Sequence, residues 1–354
     1  GPLGGDGDGH HDLIGGGEQV GTVLDDELVE GSEVEGDDAA HGACSLPRCA
    51  GRQPRPARRA RMGDVPPSTD HAADPLDDYR ALNDPERRRH VERRGGYFVV
   101  EGVLALGALL ASSYPVRSVL ASERRAERVR ALVAGRAPVV VRSDDEVAAV
   151  AGFDVHRGVL AAADRLPLPD AADVVQGARL VVVVEGIGDH ENLGALFRNA
   201  AAFGLDAVLL DPTTADPLYR RSVRVSLGHV LRVPWTRLAA WPDGLGALRE
   251  QGFELLALTP ADDAESIDAV AAGVARSRGT GEPPRLAVIV GAEGPGLTSD
   301  ALAAADRRVR IPLAAGVDSL NVATAAAIAF HRLTAAPDGS ARRRSTGSAG
   351  TNVG

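Results

Sequence analysis

Three short stretches of the chain combine glycine with single polar or charged side chains. GDHENLGALFRNAAAFG, at 188–204, sets Asn192, Gly194 and Arg198 in an N-x-G-x-x-x-R spacing. VGAEGPGLTSD, at 290–300, sets Gly291, Glu293, Gly294 and Gly296 in a G-x-E-G-x-G spacing. IPLAAGVDSLNVATAAAIAFH, at 311–331, carries Ile311 and Pro312 and then Ser319, Leu320 and Asn321. A guanidinium binds phosphate or carboxylate through a planar fork, and it stays protonated, so it is not an ordinary base. Each stretch also has a plainer reading. Asn192 can cap a helix over 193–203, and Ser319 can cap a helix with Asn321 in its first turn. The glycines can form a tight strand-to-helix turn, and an arginine on a helix can simply be solvated. The glycine loop is neither the GxxxxGK[ST] phosphate loop nor the GxGxxG dinucleotide turn.

The first stretch asks a specific question. Leu193, Leu196, Phe197, Ala200 and Phe203 form an apolar stripe at helical spacing. Beside it Gly194, Ala195, Ala201 and Ala202 make a face of small residues, with Arg198 in its middle. Such a face admits a partner helix or a substrate, and Arg198 projects into that space.

The elements that must hold these stretches can be read from the pattern. Apolar strands are expected at 179–187, 206–211, 230–235, 253–260, 285–291 and 308–313, with helices between them and an Ala-rich helix from Ser319 to about Ala335. Continuous apolar strands alternating with helices predict an α/β fold, a parallel sheet covered on both faces. Ligands bind such sheets beyond the carboxyl ends of the strands, where all three stretches fall. Upstream, 96–166 alternates again as a smaller α/β unit, joined by a linker at 167–178 that holds Pro167 and Pro169. Residues 62–95 are expected to be a linker and a charged helix over 76–95. Residues 1–61 and 337–354, rich in Gly, Asp, Glu, Pro, Ser or Arg, have no sustained period and read as disordered. GPLG has the look of a cleaved tag, and Met62, the only methionine, is expected to be the natural start.

The net charge of −10 is unevenly placed. Residues 1–40 contribute −12 and residues 41–61 contribute +6, leaving −4 from Met62 onward. All 39 basic residues are arginine. They cluster at 86–94, 219–224 and 341–345, so a nucleic-acid partner is not excluded by the acidic balance, and Arg87, Arg88, Arg89, Arg93, Arg94, Arg220, Arg221 and Arg224 are the expected phosphate contacts. Cys44 and Cys49 lie outside the folded part, so disulfides do not hold it. The apolar run at 102–111 is too short to span a bilayer. No signal peptide is visible, and the expected location is cytoplasmic. No His/Cys/Asp cluster has ligand spacing, and His41 with the two cysteines makes a poor metal site, so no metal is expected.

Taken together and in order, the three stretches resemble the SpoU/TrmH family of RNA ribose 2′-O-methyltransferases. The resemblance covers 179–335. FVVEG and HRGVLA in the upstream unit resemble, more loosely, the small RNA-binding domain that precedes the catalytic domain in many members. The resemblance implies a deep C-terminal trefoil knot over 179–336, one of the rare exceptions to unknotted chains, and S-adenosylmethionine as cofactor. By motif match the cofactor is expected at Gly291, Ala292, Glu293, Gly294, Gly296, Ile311, Leu313, Ser319, Leu320 and Asn321. Arg198 matches the arginine that activates or orients the ribose hydroxyl, and Asn192, Glu293, Ser319 and Asn321 match the other polar positions of the site. The resemblance further implies a homodimer in which Arg198 works near a cofactor held mainly by the other subunit. The upstream unit favours ribosomal RNA as substrate over transfer RNA. A non-catalytic RNA-binding dimer is the contrasting reading. His229 departs from the family, where many relatives have a small residue, and reads as a packed or surface histidine.

Overall fold

The computed structural model describes residues 74, 76–84, 95–155, 157–281 and 283–335. Arg87, Arg88, Arg89, Arg93 and Arg94, together with Cys44, Cys49 and Met62, lie outside the described residues.

The upstream unit is built on β1 (Tyr97–Glu101), β2 (Val116–Ser122), β3 (Val139–Arg142) and β4 (Val159–Asp164), in the order β1-β4-β2-β3. Strand β4 runs antiparallel to β1 and β2, and β3 is parallel to β2. Helices α1 (Val103–Leu110), α2 (Ala126–Val133) and α3 (Asp144–Ala151) fall between the strands. The S-x-x-E sequence at the start of α3 folds as a capping box. Glu146 N–H donates to Ser143 Oγ, and Ser143 N–H donates to the Glu146 carboxylate.

The charged helix expected over 76–95 is not found in the described part of that segment. Only a 3₁₀ turn, Asp77–Tyr79, forms there. Tyr79 is completely buried, its hydroxyl 2.7 Å from Ser118 Oγ and accepting from Ala162 N–H at 3.2 Å. The amides of Ala81 and Leu82 donate to Val150 and Ala151 carbonyls rather than to their own preceding turn. Burial of one aromatic ring overrides the helical charge pattern.

The second sheet contains β5 (Leu180–Val184), β6 (Ala207–Leu210), β7 (Trp235–Arg237), β8 (Phe253–Leu258), β9 (Glu265–Ser266), β10 (Arg285–Val290) and β11 (Arg307–Arg310). All its pairings are parallel, in the order β7-β6-β5-β10-β8-β11-β9. Its helices are α4 (Ala171–Val174), α5 (His190–Phe203), α6 (Arg220–Val225), α7 (Gly244–Glu250), α8 (Ile267–Thr280), α9 (Ser299–Ala304) and α10 (Val322–Thr334). Alternate residues of the central strands feed two separate apolar clusters. Val182, Val184, Val288 and Val290 enter one, and Val181, Val183, Ala287 and Ile289 enter the other. Both faces are therefore dry, which is why these strands read as unbroken apolar runs. The first cluster also takes in Phe98, Val100, Leu106 and Leu109, so one core continues from the upstream sheet into the second.

Several boundaries move. The strand expected at 230–235 is Trp235–Arg237, because 229–233 is tied into local turns: Leu231 and Val233 amides donate to Gly228 and His229 carbonyls. The strand expected at 308–313 ends at Arg310, and the Ala-rich helix begins at Val322 with Asn321 as its cap, not Ser319. Helix α5 begins at His190, capped by Asp189, whose carboxylate accepts from Glu191 and Asn192 N–H groups. The two-residue strand Glu265–Ser266 is too short to leave a period in the sequence.

The topology positions the three stretches. The chain steps from β5 through β6 to β7 at one edge, then crosses to β8, and β10 later inserts between β5 and β8. The register pairs Val184 with Val290 and Ile289 with Ala257. The carboxyl ends of β5, β8 and β10 are thus level, and the loops after them meet.

Candidate active site

A cleft of about 520 Å³ opens beyond the carboxyl ends of β8, β10 and β11. All ten positions expected to hold a cofactor line it: Gly291, Ala292, Glu293, Gly294, Gly296, Ile311, Leu313, Ser319, Leu320 and Asn321. The sequence missed Leu258, Thr259, Pro260, Val290, Val322 and Ala325, which complete the wall. The end of FELLALTP carried a signal for the first three, since residues just past a parallel strand are where such ligands sit.

The loop after β10 folds back on itself. Gly296 N–H donates to the Ala292 carbonyl at 3.0 Å. A Cβ at Gly291 would stand 2.4–2.5 Å from backbone atoms of Gly296 and Leu297. Only glycine permits that approach. The turn leaves a concave strip of backbone facing the cleft.

Asn321 joins the three stretches. Its Oδ1 accepts from Ala323 N–H at 3.0 Å and Thr324 N–H at 3.2 Å, capping α10. Its Nδ2 donates to Asn192 Oδ1 at 2.8 Å and Glu293 Oε1 at 2.6 Å. One carboxamide therefore spends its acceptor on its own helix and its donors on the other two stretches. The N-cap role offered to Asn192 in the plainer reading belongs to Asp189, and the amide of Asn192 is left free to bridge.

Arg198 does not line this cleft. It follows Asn192 by six residues, which turns it about 120° around α5. The Asn192 side of α5 faces α10, where Asn199 Nδ2 donates to Ala323 O at 2.8 Å. Gly194, one turn before Arg198, faces α6: a Cβ there would lie 2.7 Å from Ser222 O and 2.9 Å from Val225 Cβ. Part of the small face is thus filled from within the chain. Arg198 itself is exposed, and no ion pair among the described residues includes it. Half-buried His229 shares this neighbourhood. Burial first, then the positive charges of Arg232 and Arg198, hold its pKa below the ordinary imidazole value.

Two buried carboxylates shape the loops behind the cleft. Asp211 accepts from Gly186 N–H at 3.1 Å, from Thr214 N–H at 2.7 Å and from the Thr213 and Thr214 hydroxyls. Burial alone would raise its pKa, but these donors together hold it below the usual carboxylate value. Glu185 directly follows β5 and is 5% exposed. Neither was singled out from the sequence.

The expected phosphate contacts divide. Arg220 is corrected: its side chain is 12% exposed, 3.8 Å from Glu101, over the Phe153 ring at 4.0 Å, and it donates to Asn83 Oδ1 at 3.1 Å. Arg224 also pairs with Glu101, at 3.2 Å. Glu101 is nearly buried at the end of β1, and the two guanidinium groups offset the cost of burying its charge. These arginines tie α6 to the end of β1. Arg221 is exposed and pairs with Glu191 at 3.3 Å. Among the described residues no group of three or more His, Cys, Asp or Glu could hold a metal ion, and no helix is long and apolar enough to cross a membrane.

Residues 179–331 match the model of the SpoU rRNA methylase family. The chain is 49% identical over 260 residues to an uncharacterised tRNA/rRNA methyltransferase of Mycobacterium tuberculosis, covering 73% of this chain and 88% of that one. It is 28% identical over 209 residues to the 23S rRNA (guanosine-2′-O-)-methyltransferase RlmB of Ralstonia nicotianae, covering 58% of this chain and 80% of that one. Among solved structures, AviRb of Streptomyces viridochromogenes, a SpoU methyltransferase in complex with AdoMet, superposes with a TM-score of 0.60 at 21% identity, covering 73% of this chain and 96% of that one. An AdoMet-bound rRNA methyltransferase of Sinorhizobium meliloti gives 0.58 at 25% identity, covering 73% and 93%. Two of the three stretches line one cleft at the carboxyl edge of a parallel sheet, Asn192 of the other is bonded to Asn321 in it, and the solved relatives share the fold: the chain belongs to the SpoU family of RNA methyltransferases.

Proposed function

We propose that this protein transfers a methyl group from S-adenosylmethionine to a ribose 2′-hydroxyl of ribosomal RNA. The observation that carries the reading is the Asn321 bridge, which gathers Asn192 and Glu293 at the mouth of one cleft. The cleft fits the cofactor. Its volume lies within the range of small-molecule sites. Leu258, Val290, Ile311, Leu313 and Leu320 give apolar walls for an adenine ring, while Thr259, Glu293, Ser319 and the backbone of 291–296 offer polar partners. The close backbone approach that a Cβ at Gly291 would destroy shapes the strip of loop that would hold such a ligand. Bound there, S-adenosylmethionine supplies a methyl group activated by its sulfonium.

The chain's own groups do the rest. Methylation would form the C–O bond as the cofactor's C–S bond broke and its neutral thioether left, so the chain must hold the ribose oxygen in line and see it relieved of its proton. Arg198 orients the hydroxyl and the adjacent phosphate through its planar fork and stabilises the oxygen as charge develops. It remains charged, so the proton leaves by way of a substrate phosphate or solvent. Because Arg198 stands on another face of α5 from Asn192, it serves the cleft of a partner chain in a homodimer. The same reading takes the segment 311–335 as the threaded part of a trefoil knot, the upstream sheet as an RNA-docking unit and the cytoplasm as the place of action.

The name of the RlmB relatives favours ribosomal RNA over transfer RNA. Mapping 2′-O-methyl sites in RNA from a deletion strain and its parent tests this. One ribosomal site lost on deletion is expected. A site lost only from transfer RNA overturns the substrate, and an unchanged map points to the non-catalytic reading.

A further inference from the structure

Glu185 touches both ends of the glycine loop without entering the cleft. Its backbone N–H donates to the Val290 carbonyl at 2.9 Å, at the start of the loop. Its side chain accepts from Thr298 at the loop's end, from the amide at 2.9 Å and from the hydroxyl at 2.7 Å. A third donor, Trp241 Nε1, comes from the segment between β7 and α7. The Thr298 hydroxyl also accepts from Ala301 N–H at 3.2 Å and so caps α9. Gly186, the next residue, brings the same strand end against Ala292: a Cβ there would lie 3.7 Å from Ala292 Cβ.

We propose that Glu185 is a positioning residue for the cofactor cleft, clamping the 291–297 loop at both ends and so setting cofactor affinity without contact with the cofactor. The inference rests on the reading of that cleft as the S-adenosylmethionine site. The chemistry of the three donors makes the carboxylate specific. Two of the three donors can only give a hydrogen, and they face different oxygens of the carboxylate: the Trp241 indole N–H at Oε1 and the Thr298 amide at Oε2, so an acceptor-only side chain matches and an amide in either orientation does not. Replacement by glutamine turns an N–H₂ toward Thr298 or Trp241 and leaves a buried donor facing a donor. The loop must then shift at its anchored end. Because Gly291 already lies against the backbone of Gly296 and Leu297, the shift is passed to the strip of backbone that lines the cleft.

The test uses the full-length protein with S-adenosylhomocysteine as calorimetric probe, beside melting temperature and methylation kinetics. Glu185→Gln should raise the probe's Kd by about tenfold or more. It should raise KM for S-adenosylmethionine similarly and leave the rate at saturating cofactor near the parental value. Hydrogen exchange at 291–298 should rise. Trp241→Phe removes one donor and keeps the ring, and should weaken binding by a smaller factor, which keeps the test open where the glutamine variant folds poorly. Thr298→Ser keeps the hydroxyl and should bind as the parent does. Val147→Ala, in the core of the upstream sheet, serves as control: it should lower the melting temperature and leave Kd unchanged. Parental affinity in both Glu185→Gln and Trp241→Phe overturns the proposal, as does an equal loss of affinity in Val147→Ala. A parent protein that binds no S-adenosylhomocysteine overturns the cleft assignment itself.

Discussion

Asn321 Nδ2 lies 2.8 Å from Asn192 Oδ1, although 129 residues separate them in the chain. The contact ties the cap of α10 to the first turn of α5. Asn321→Asp separates its two roles. The acid keeps the cap acceptor but replaces a donor with an oxygen facing Asn192 Oδ1 and the Glu293 carboxylate. Binding of S-adenosylhomocysteine should weaken by about tenfold or more, with little loss of helix stability. Asn321→Ala should lose both roles, with roughly 1–2 kcal/mol of stability lost from the cap. Calorimetry and melting of the two variants decide between a bridge and a simple cap.

Gly291 tolerates no side chain. Even Gly291→Ala places a carbon against the backbone of Gly296 and Leu297. Backbone cannot move aside as a side chain can, so the alanine variant should bind cofactor at least tenfold more weakly, and Gly291→Val more weakly still. Alanine binding at the parental level would show that the loop is looser than its contacts imply.

Arg198→Ala should lower the single-turnover methylation rate on the order of 10²-fold or more. Cofactor affinity should hardly change, because Arg198 stands outside the cleft on its own chain. Arg198→Lys should not restore the rate, since lysine lacks the planar fork. A parental rate in the alanine variant removes Arg198 from the catalytic assignment.

Arg220 and Arg221 are adjacent and should behave differently. Arg220→Ala leaves Glu101 with Arg224 as its remaining partner, and should cost about 2 kcal/mol, below the ~3–5 kcal/mol of a fully orphaned buried pair. Its effect on RNA affinity should be small once folding is allowed for. Arg221→Ala should leave stability near parental, and should reduce the log–log salt slope of RNA binding by about 0.7–0.9. Filter binding over a salt series, with melting curves, separates the two.

His229 titrates below its ordinary value of 6.5 in the folded chain, so the unfolded chain binds more protons in that window. The stability it contributes is complete above that ordinary value and is lost as pH falls through the folded one. Melting temperature should therefore decline as pH falls below that ordinary value, and His229→Gln should flatten part of that decline. An unchanged slope in the variant assigns the acid sensitivity elsewhere.

How much of this was legible in the sequence depends on the range of the interaction involved. The runs LVVVV and RLAVIV read as buried parallel strands because each residue reports its own burial on one face or the other. The glycine and polar spacing at 291–296 and 319–321 picked out residues that line the cleft, because a backbone folded against itself needs glycine locally, and one chain segment carries the whole signal. The capping box at Ser143 is local in the same way.

What tertiary structure alone decided are pairings across long separations. No pattern near residue 79 shows that its ring fills a core, which is why the charged helix expected there is absent from 76–84. No pattern near Arg220 shows that Glu101 waits, buried, at the end of β1. Glu185 looks in sequence like the polar end of an apolar strand. Its meaning depends on β10 inserting beside β5 in a register that sets Val184 opposite Val290 and brings Thr298 within reach. The identity of a residue fixes which hydrogen bonds it can make, and only the fold decides which partners stand close enough to make them.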